Sequence, residues 1–166
     1  VTSVTIRGAY RVVVPLTEVL AAVHAAPVAE VAWLARGSPR VRGVLPLVTD
    51  RGPVLAFPYA DAELARSVAA SPEVVLTLTE PHQASTSYRP LQVRGRPRLE
   101  EDREGDRFCE DLLTQELRRW PPSRVLADSI LLRRENWWWL PRLLVGIEVR
   151  EVEDLTAGPV IGSVVR

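Results

Sequence analysis

The sequence has no lysine, no methionine, a single asparagine (Asn136), a single cysteine (Cys109) and two histidines (His24 and His82). Without lysine there is no Schiff-base nucleophile, no lysine general base and no P-loop lysine. All 21 basic residues are arginine, and 21 acidic residues balance them to a formal net charge of zero. That balance disfavours a net-basic nucleic-acid binder and a polyacidic tail. GC-rich codon usage accounts for the arginine bias, but the chemical exclusions hold whatever its cause. One cysteine can form neither an internal disulfide nor a cysteine-based zinc site, and it fits a reducing cytoplasm. The two histidines share no metal-ligand spacing with each other or with carboxylates, so no metal site is expected. Apolar runs are broken by Arg, Glu or Pro well short of membrane-spanning length. Residues 1–7 lack the charged and apolar regions of a signal peptide. Neither a glycine-rich phosphate loop nor a Gly-x-Ser-x-Gly elbow is present.

What is present is a globular composition. Of 166 residues, 46% are hydrophobic and 25% charged, enough to fold as one domain over residues 1–166. Thr17 and Pro15 predict a helix start, with the helix over residues 17–25 ending at Pro27. Strands follow over residues 28–36, 40–49 and 54–57, separated by turn chemistry at Gly37-Ser38-Pro39 and Asp50-Arg51-Gly52. Asp61 begins a helix over residues 61–70, and a short strand spans 74–79. Residues 80–88 read as a loop. Strict alternation over residues 91–99 predicts a strand with Leu91, Val93, Gly95, Pro97 and Leu99 on one face. Pro97 marks an edge or a bulge. A helix over residues 101–120 places Cys109, Leu112, Leu113, Leu117 and Trp120 on one stripe, and a further helix is expected near residues 124–133. Residues 136–150 read as the last strand. The fold class is mainly β with accessory helices (α+β), arranged as a small barrel.

Three features have the residue types for ligand chemistry. Arg40 and Arg42 share one strand face, where they either grip a phosphate or line a solvated surface. Arg94, Arg96 and Arg98 form a like-charged stripe, which needs either opposing carboxylates or an anionic ligand. Trp137-Trp138-Trp139, read on a strand, sends two indoles to one face and leaves Trp138 on the other. Trp138 is then the candidate for lining a planar-ligand pocket, with core or interface packing as the alternative for the run. Cys109 lies on an apolar helix face, where packing outweighs reactivity. His24 and His82 read as structural or surface residues, with haem ligation open but without local support.

Residues 28–111 resemble the pyridoxamine 5'-phosphate oxidase-like superfamily of FMN-binding split barrels. The order strand, Gly37-Ser38-Pro39, strand, Asp50-Arg51-Gly52, strand, helix, then Ser71-Pro72-Glu73-Val74 carries the resemblance. So do Leu91-Gln92-Val93-Arg94-Gly95-Arg96 and the following Glu100-Glu101-Asp102. The resemblance implies a six-stranded split β-barrel, usually a homodimer, with FMN at the subunit interface. It places Arg42 at the phosphate, with Arg40 beside it. Val44, Leu45, Pro46 and Leu47 would lie against the flavin ring, and Tyr59, Arg66 and Trp138 would complete the site. Family FMN binders carry Thr or Ser where Pro58 stands, and Ser-Arg-Lys where Ala62, Glu63 and Leu64 stand. Those positions offer a phosphate no donor, and Glu63 repels it.

The implied function is a flavin-binding, cytoplasmic oxidoreductase acting on a small molecule, distinct from pyridoxamine phosphate oxidase itself, whose Arg-x-His-type tail has no counterpart. No side chain stands out as a catalytic acid or base. The alternative is a binding protein on the same fold that holds haem, a deazaflavin or no cofactor. Neither nucleic acid nor membrane is an expected partner.

Overall fold

The structure is a computed structural model and describes residues 3–6, 13–78 and 90–155. The loop expected over residues 80–88, with His82, lies outside the described residues.

Strands β3 (Ala29–Ala35) and β4 (Ser38–Val44) form a hairpin in which Ala35 opposes Ser38. Arg36 and Gly37 make the two-residue turn with φ of 52° and 79°. Two positive φ values match the right-handed twist of the flanking strands. Ser38 and Pro39, expected in the turn, already belong to β4. The strand expected over residues 40–49 is in fact two strands, broken at Leu45. Strand β5 (Pro46–Thr49) leaves β4 and pairs instead with β6 (Gly52–Pro58) across Asp50-Arg51.

Helix α1 (Leu16–Ala25) follows two short strands, β1 (Ser3–Ile6) and β2 (Val13–Pro15). Helix α2 (Ala62–Ala69) precedes β7 (Val74–Leu78) and the long β8 (Leu91–Asp102). The last strand is β9 (Arg142–Asp154). Ladders connect β4-β3-β7-β8-β9-β6-β5, all antiparallel, while β1 adds to β9 in parallel and β2 pairs β1. Among the described residues this is one mostly antiparallel sheet with several helices, an α+β fold. The two end strands of the path, β4 and β5, are consecutive in the chain. Val19, Val31, Leu55, Val68, Leu76, Val93 and Val145 belong to one apolar cluster. Five strands and two helices contribute to that cluster, so the sheet curls around it.

Alternation along β8 is as the sequence predicts as far as Pro97: Leu91, Val93, Gly95 and Pro97 are buried, but Leu99, expected on the same face, is exposed. Pro97 lies beyond Gly95, the last residue paired to β7, so its missing N–H falls at an open edge. The bulge itself is at Arg94/Gly95.

Three expectations about the second half are corrected. Residues 101–102 extend β8 instead of opening a helix. The helix begins only after Gly105, whose φ is 77°. A Cβ there would come within 2.7 Å of the Leu140 backbone, so only glycine fits the bend. The Asp102 carboxylate accepts a hydrogen bond from the Phe108 N–H at 2.8 Å, satisfying a donor in the first turn. The helix passes through a π-helical stretch, Phe108–Leu112, before α3 (Leu113–Arg119). The helix expected near residues 124–133 is two short ones, α4 (Arg124–Ala127) and α5 (Ile130–Glu135). Ser129 caps α5 by accepting from the Leu132 N–H at 3.2 Å.

The third correction concerns the tryptophans. Residues 137–139 form a 3-10 turn, not strand. The Trp139 N–H donates to the Asn136 carbonyl at 2.9 Å, and the Leu140 N–H to the Trp137 carbonyl at 3.2 Å. These local bonds replace a ladder, and Pro141, which has no N–H, precedes the true strand start at Arg142. The alternation read through residues 136–141 was therefore coincidental. Trp137 and Trp138 are exposed, whereas Trp139 packs edge-on against Phe108 at 5.9 Å.

Strand β9 separates two cores. Leu143, Val145 and Ile147 face the cluster inside the sheet. Leu144 faces a second cluster with Leu47, Val54, Phe108, Leu112, Leu113, Leu117 and Ala127. A charged pair is built into this second region. Arg142 is 2% exposed. Its guanidinium lies 4.2 Å from the Phe108 ring centre and 4.0 Å from that of Trp139. It donates to the carbonyls of Trp139 and Pro141 and stands 4.0 Å from the Glu116 carboxylate. Burial pushes its pKa down to about 10, with Glu116 opposing that shift. Glu116 also accepts from the Ser123 hydroxyl at 2.5 Å.

Two predictions follow from the second core. Arg142→Ala strands Glu116 as a buried carboxylate without its cation, which is expected to cost about 3 kcal/mol. Urea unfolding measures this, and a loss below about 1 kcal/mol would mean the pair behaves as a surface contact. Burial raises the Cys109 thiol above its ordinary pKa of 9.0, which lowers its thiolate fraction at neutral pH. Iodoacetamide is expected to label it more slowly at pH 7 than it labels a model thiol peptide, with the rate still rising above pH 9. Labelling as fast as the peptide would contradict the packing role.

Candidate functional site

Most of the residues expected to hold a cofactor fall into two neighbouring clefts. The first has a volume of about 310 Å³ and takes in Arg42, Val44, Leu45 and Leu47 from the β4–β5 segment. Its opposite wall is β6, where Leu55, Ala56, Phe57 and Pro58 line it, and Trp120 closes one side. The break at Leu45 creates this geometry. By turning from β4 into β5, the chain places Arg42 and the apolar Val44–Leu47 run around one concavity.

Three charged side chains stand in this cleft: Arg42, Asp61 and Glu116. The Arg42 guanidinium is 4.0 Å from the Asp61 carboxylate, and both are partly exposed. Asp61 precedes α2 but makes no side-chain capping bond, so its carboxylate is available to Arg42. Glu116, Trp120 and Asp61 were not identified as site residues from sequence. Glu116 did leave a signal, since it falls between Leu113 and Leu117 on the apolar stripe of its helix.

The second cleft, about 570 Å³ and more open, gathers Tyr59, Arg66 and Trp138 with Trp137, Pro141, Glu101 and Arg103. Each Glu101 oxygen holds one guanidinium, Arg66 at 3.4 Å and Arg103 at 3.1 Å. Hydrogen bonds from Arg103 and then Arg66 hold the Glu101 carboxyl below its ordinary pKa. Pro58 lines the first cleft and Tyr59 the second, so the two are adjacent along the chain.

Two expected residues line neither cleft. Arg40 is exposed on β4 opposite Trp33. Pro46 is buried, and its carbonyl accepts from Arg119. Arg119 also donates to the carbonyls of Ala26 and Val23 at the end of α1, so it ties α1, β5 and α3 together. Burial lowers its pKa to about 10. The family positions that contact phosphate hold half-buried Pro58, Ala62 and Leu64 and exposed Glu63.

The arginine stripe on β8 finds carboxylates across the ladder. Arg98 pairs with Glu148 at 2.6 Å. Arg96 lies opposite Glu148 and Arg94 opposite Glu151 in register, and Arg94 also donates to Gln92 at 2.9 Å. His24 is exposed on α1. Among the described residues, no group of three His, Cys, Asp or Glu side chains could hold a metal ion, and no helix is long and apolar enough to cross a membrane.

No protein-family model matches the chain, and no curated protein sequence matches it. Solved structures do. The haem storage protein HutZ from Vibrio cholerae superposes with a TM-score of 0.51 at 13% identity, covering 82% of this chain and 91% of that one. A Listeria innocua protein provisionally assigned as a pyridoxamine 5'-phosphate oxidase gives 0.51 at 14% identity, covering 84% of this chain and 97% of that one. A haem-binding protein from Mycobacterium smegmatis gives 0.51 at 21% identity, covering 85% of this chain but 54% of that one. These similarities, spread along four-fifths of the chain, show that it has the split-barrel fold of the pyridoxamine 5'-phosphate oxidase-like proteins.

Proposed function

We propose that the protein is a split-barrel flavoprotein, an oxidoreductase for a small molecule, which binds the ring of FMN in the cleft between β4–β5 and β6. One observation carries this reading. The break at Leu45 wraps Arg42, Val44, Leu45 and Leu47 around one concavity faced by Leu55, Ala56 and Phe57. An apolar slot with one cation at its end suits a flat ring carrying an anionic substituent. The FMN would supply the redox chemistry. The chain's own residues bind and orient it: apolar side chains exclude water from the ring, Arg42 holds the anionic end, and Trp120 closes the side.

The fit at the anionic end is weaker than at the ring. Asp61 competes for Arg42, and Glu63 and Leu64 stand where a phosphate needs donors. Affinity for FMN is therefore expected to be modest, with the ring contacts providing most of it. A cleft of this size lies at the small end of ligand sites, which favours a homodimer in which a second copy completes it. Strand β4 supports that reading. Its residues from Ser38 to Gly43 are all exposed, and Val41 is 63% exposed, an unusual state for a strand in an isolated domain. The finer geometry we infer is a six-stranded barrel in which β4 and β5 act as one bent strand.

A second reading has its own support. The acidic partner of Arg42 disfavours a compact phosphate dianion more than the separate, singly charged groups of a haem or a deazaflavin. Two of the superposed proteins are named as haem proteins.

The visible spectrum of freshly purified protein tests both readings. A flavin spectrum, or a rise in melting temperature on adding FMN that Arg42→Ala diminishes, supports the first. A Soret band that persists in a His24→Ala, His82→Ala double variant supports haem held without either histidine. Colourless protein with no thermal response to FMN, haem or deazaflavin contradicts cofactor binding.

A further inference from the structure

Glycines within β-strands weaken them, and usually mark a bulge, a sharp bend or a close approach. Gly95 sits at the β8 bulge, where a Cβ would collide with the Glu148 carbonyl, and Gly52 would bring a Cβ within 2.5 Å of the Ile147 carbonyl. Both are required by neighbouring backbone. Gly146, in the interior of β9, is not. A Cβ there would meet nothing nearer than the Arg98 carbonyl at 3.9 Å. Gly146 pairs in register with Val54 on one side and Arg98 on the other, without a bulge. Packing leaves room for a side chain that the sequence does not supply.

The vacant position opens onto a cleft of about 460 Å³ that shares no lining residue with the cofactor cleft. Its floor is Gly146 with Val54 and Leu144, and its rim carries Arg51, Arg98 and Arg107. Arg51 comes from the β5–β6 turn, Arg98 from β8, and Arg107 from the residue before the π-helical stretch. That stretch supplies Leu112 to the wall. π-Helical turns are rare and concentrate at functional sites. Arg98 is paired with Glu148, and Arg107 with Glu100 and, at 3.9 Å, with Asp111, while Arg51 has no carboxylate within ion-pair distance among the described residues. The cleft itself is lined by these three arginines and two of the carboxylates, Glu100 and Glu148, so Arg51 is the cation left over. The Arg98 pair is exposed, and ion pairs of that kind exchange readily for a better anion.

We propose that this cleft binds a small phosphomonoester, with its phosphoryl oxygens on the guanidinium groups of Arg51, Arg98 and Arg107 and its organic part on the Gly146 floor. A carboxylate is satisfied by one bidentate arginine. Three arginines from three separate elements better match a tetrahedral anion with three peripheral oxygens.

Calorimetric titration of the full chain at constant ionic strength tests this, using phenyl phosphate, benzoate and inorganic phosphate as probes. The expected result is saturable binding of phenyl phosphate that exceeds binding of both others. Arg51→Ala should weaken it by about tenfold, the value of a charged hydrogen bond. Gly146→Leu should abolish it with little change in melting temperature, since the Cβ position is open. Arg42→Ala, in the other cleft, should leave it unchanged. If Gly146→Leu does not fold, Gly146→Ala together with Arg51→Ala decides. The proposal is overturned if phenyl phosphate shows no saturable heat or binding ignores the Arg51 and Gly146 variants. Equal affinity for inorganic phosphate or benzoate, or dependence on Arg42 alone, also overturns it.

Discussion

Strand β9 buries both of its faces over residues 142–145 before one face opens to solvent at Glu148 and Arg150, and much of the architecture follows from that constraint. Its odd positions Leu143, Val145 and Ile147 enter the core enclosed by the sheet, while Leu144 enters the core covered by α3. A strand covered on both sides has its backbone away from water, so its N–H and C=O groups need partners on both edges. It finds β8 along one edge and β6, then β1, along the other. Gly146, which has no side chain, leaves space on the same face of the strand as Leu144. The π-helical wall borders that space, and the two cores lie to either side of the strand.

Arg142 shows how the second core tolerates a charge at the start of the strand. Two aromatic faces, two carbonyls and Glu116 replace the water that burial removes. Stacking on two rings is an arginine property that lysine would not reproduce. The same holds for Arg119, which serves carbonyls of three segments at once. The all-arginine composition therefore matters structurally as well as by exclusion, because Arg142 and Arg119 use planar, multi-donor geometry.

The fold was legible where local pattern and tertiary environment agree. The alternation in β8 and in residues 143–149 has a period of two because one face is buried, and α2 has a clear apolar face in Ala65 and Val68. Sequence failed where a tertiary requirement overrides the pattern. Leu45 is not a breaker by composition, but Pro46 beside it lacks a ladder N–H and opens β5, and the pairing of β5 with β6 completes the split of residues 40–49. The tryptophan run imitates alternation, yet local turn bonds and Pro141 hold it outside the sheet. Site residues were legible in part. Arg42, Val44, Leu45 and Leu47 share a cleft, while Tyr59, Arg66 and Trp138 share another, because Pro58 and Tyr59 stand at the boundary between the two. Asp61 and Glu116 were missed because their roles come from neighbours distant in sequence.

The central claim is that the concavity between β4–β5 and β6 holds a planar cofactor, and hydrogen–deuterium exchange of the full chain with and without saturating FMN tests it most directly. Slower exchange is expected at amides of residues 42–45 and 55–57. Unchanged exchange at residues 42–45 and 55–57 under FMN saturation, or protection confined to other segments, would contradict it.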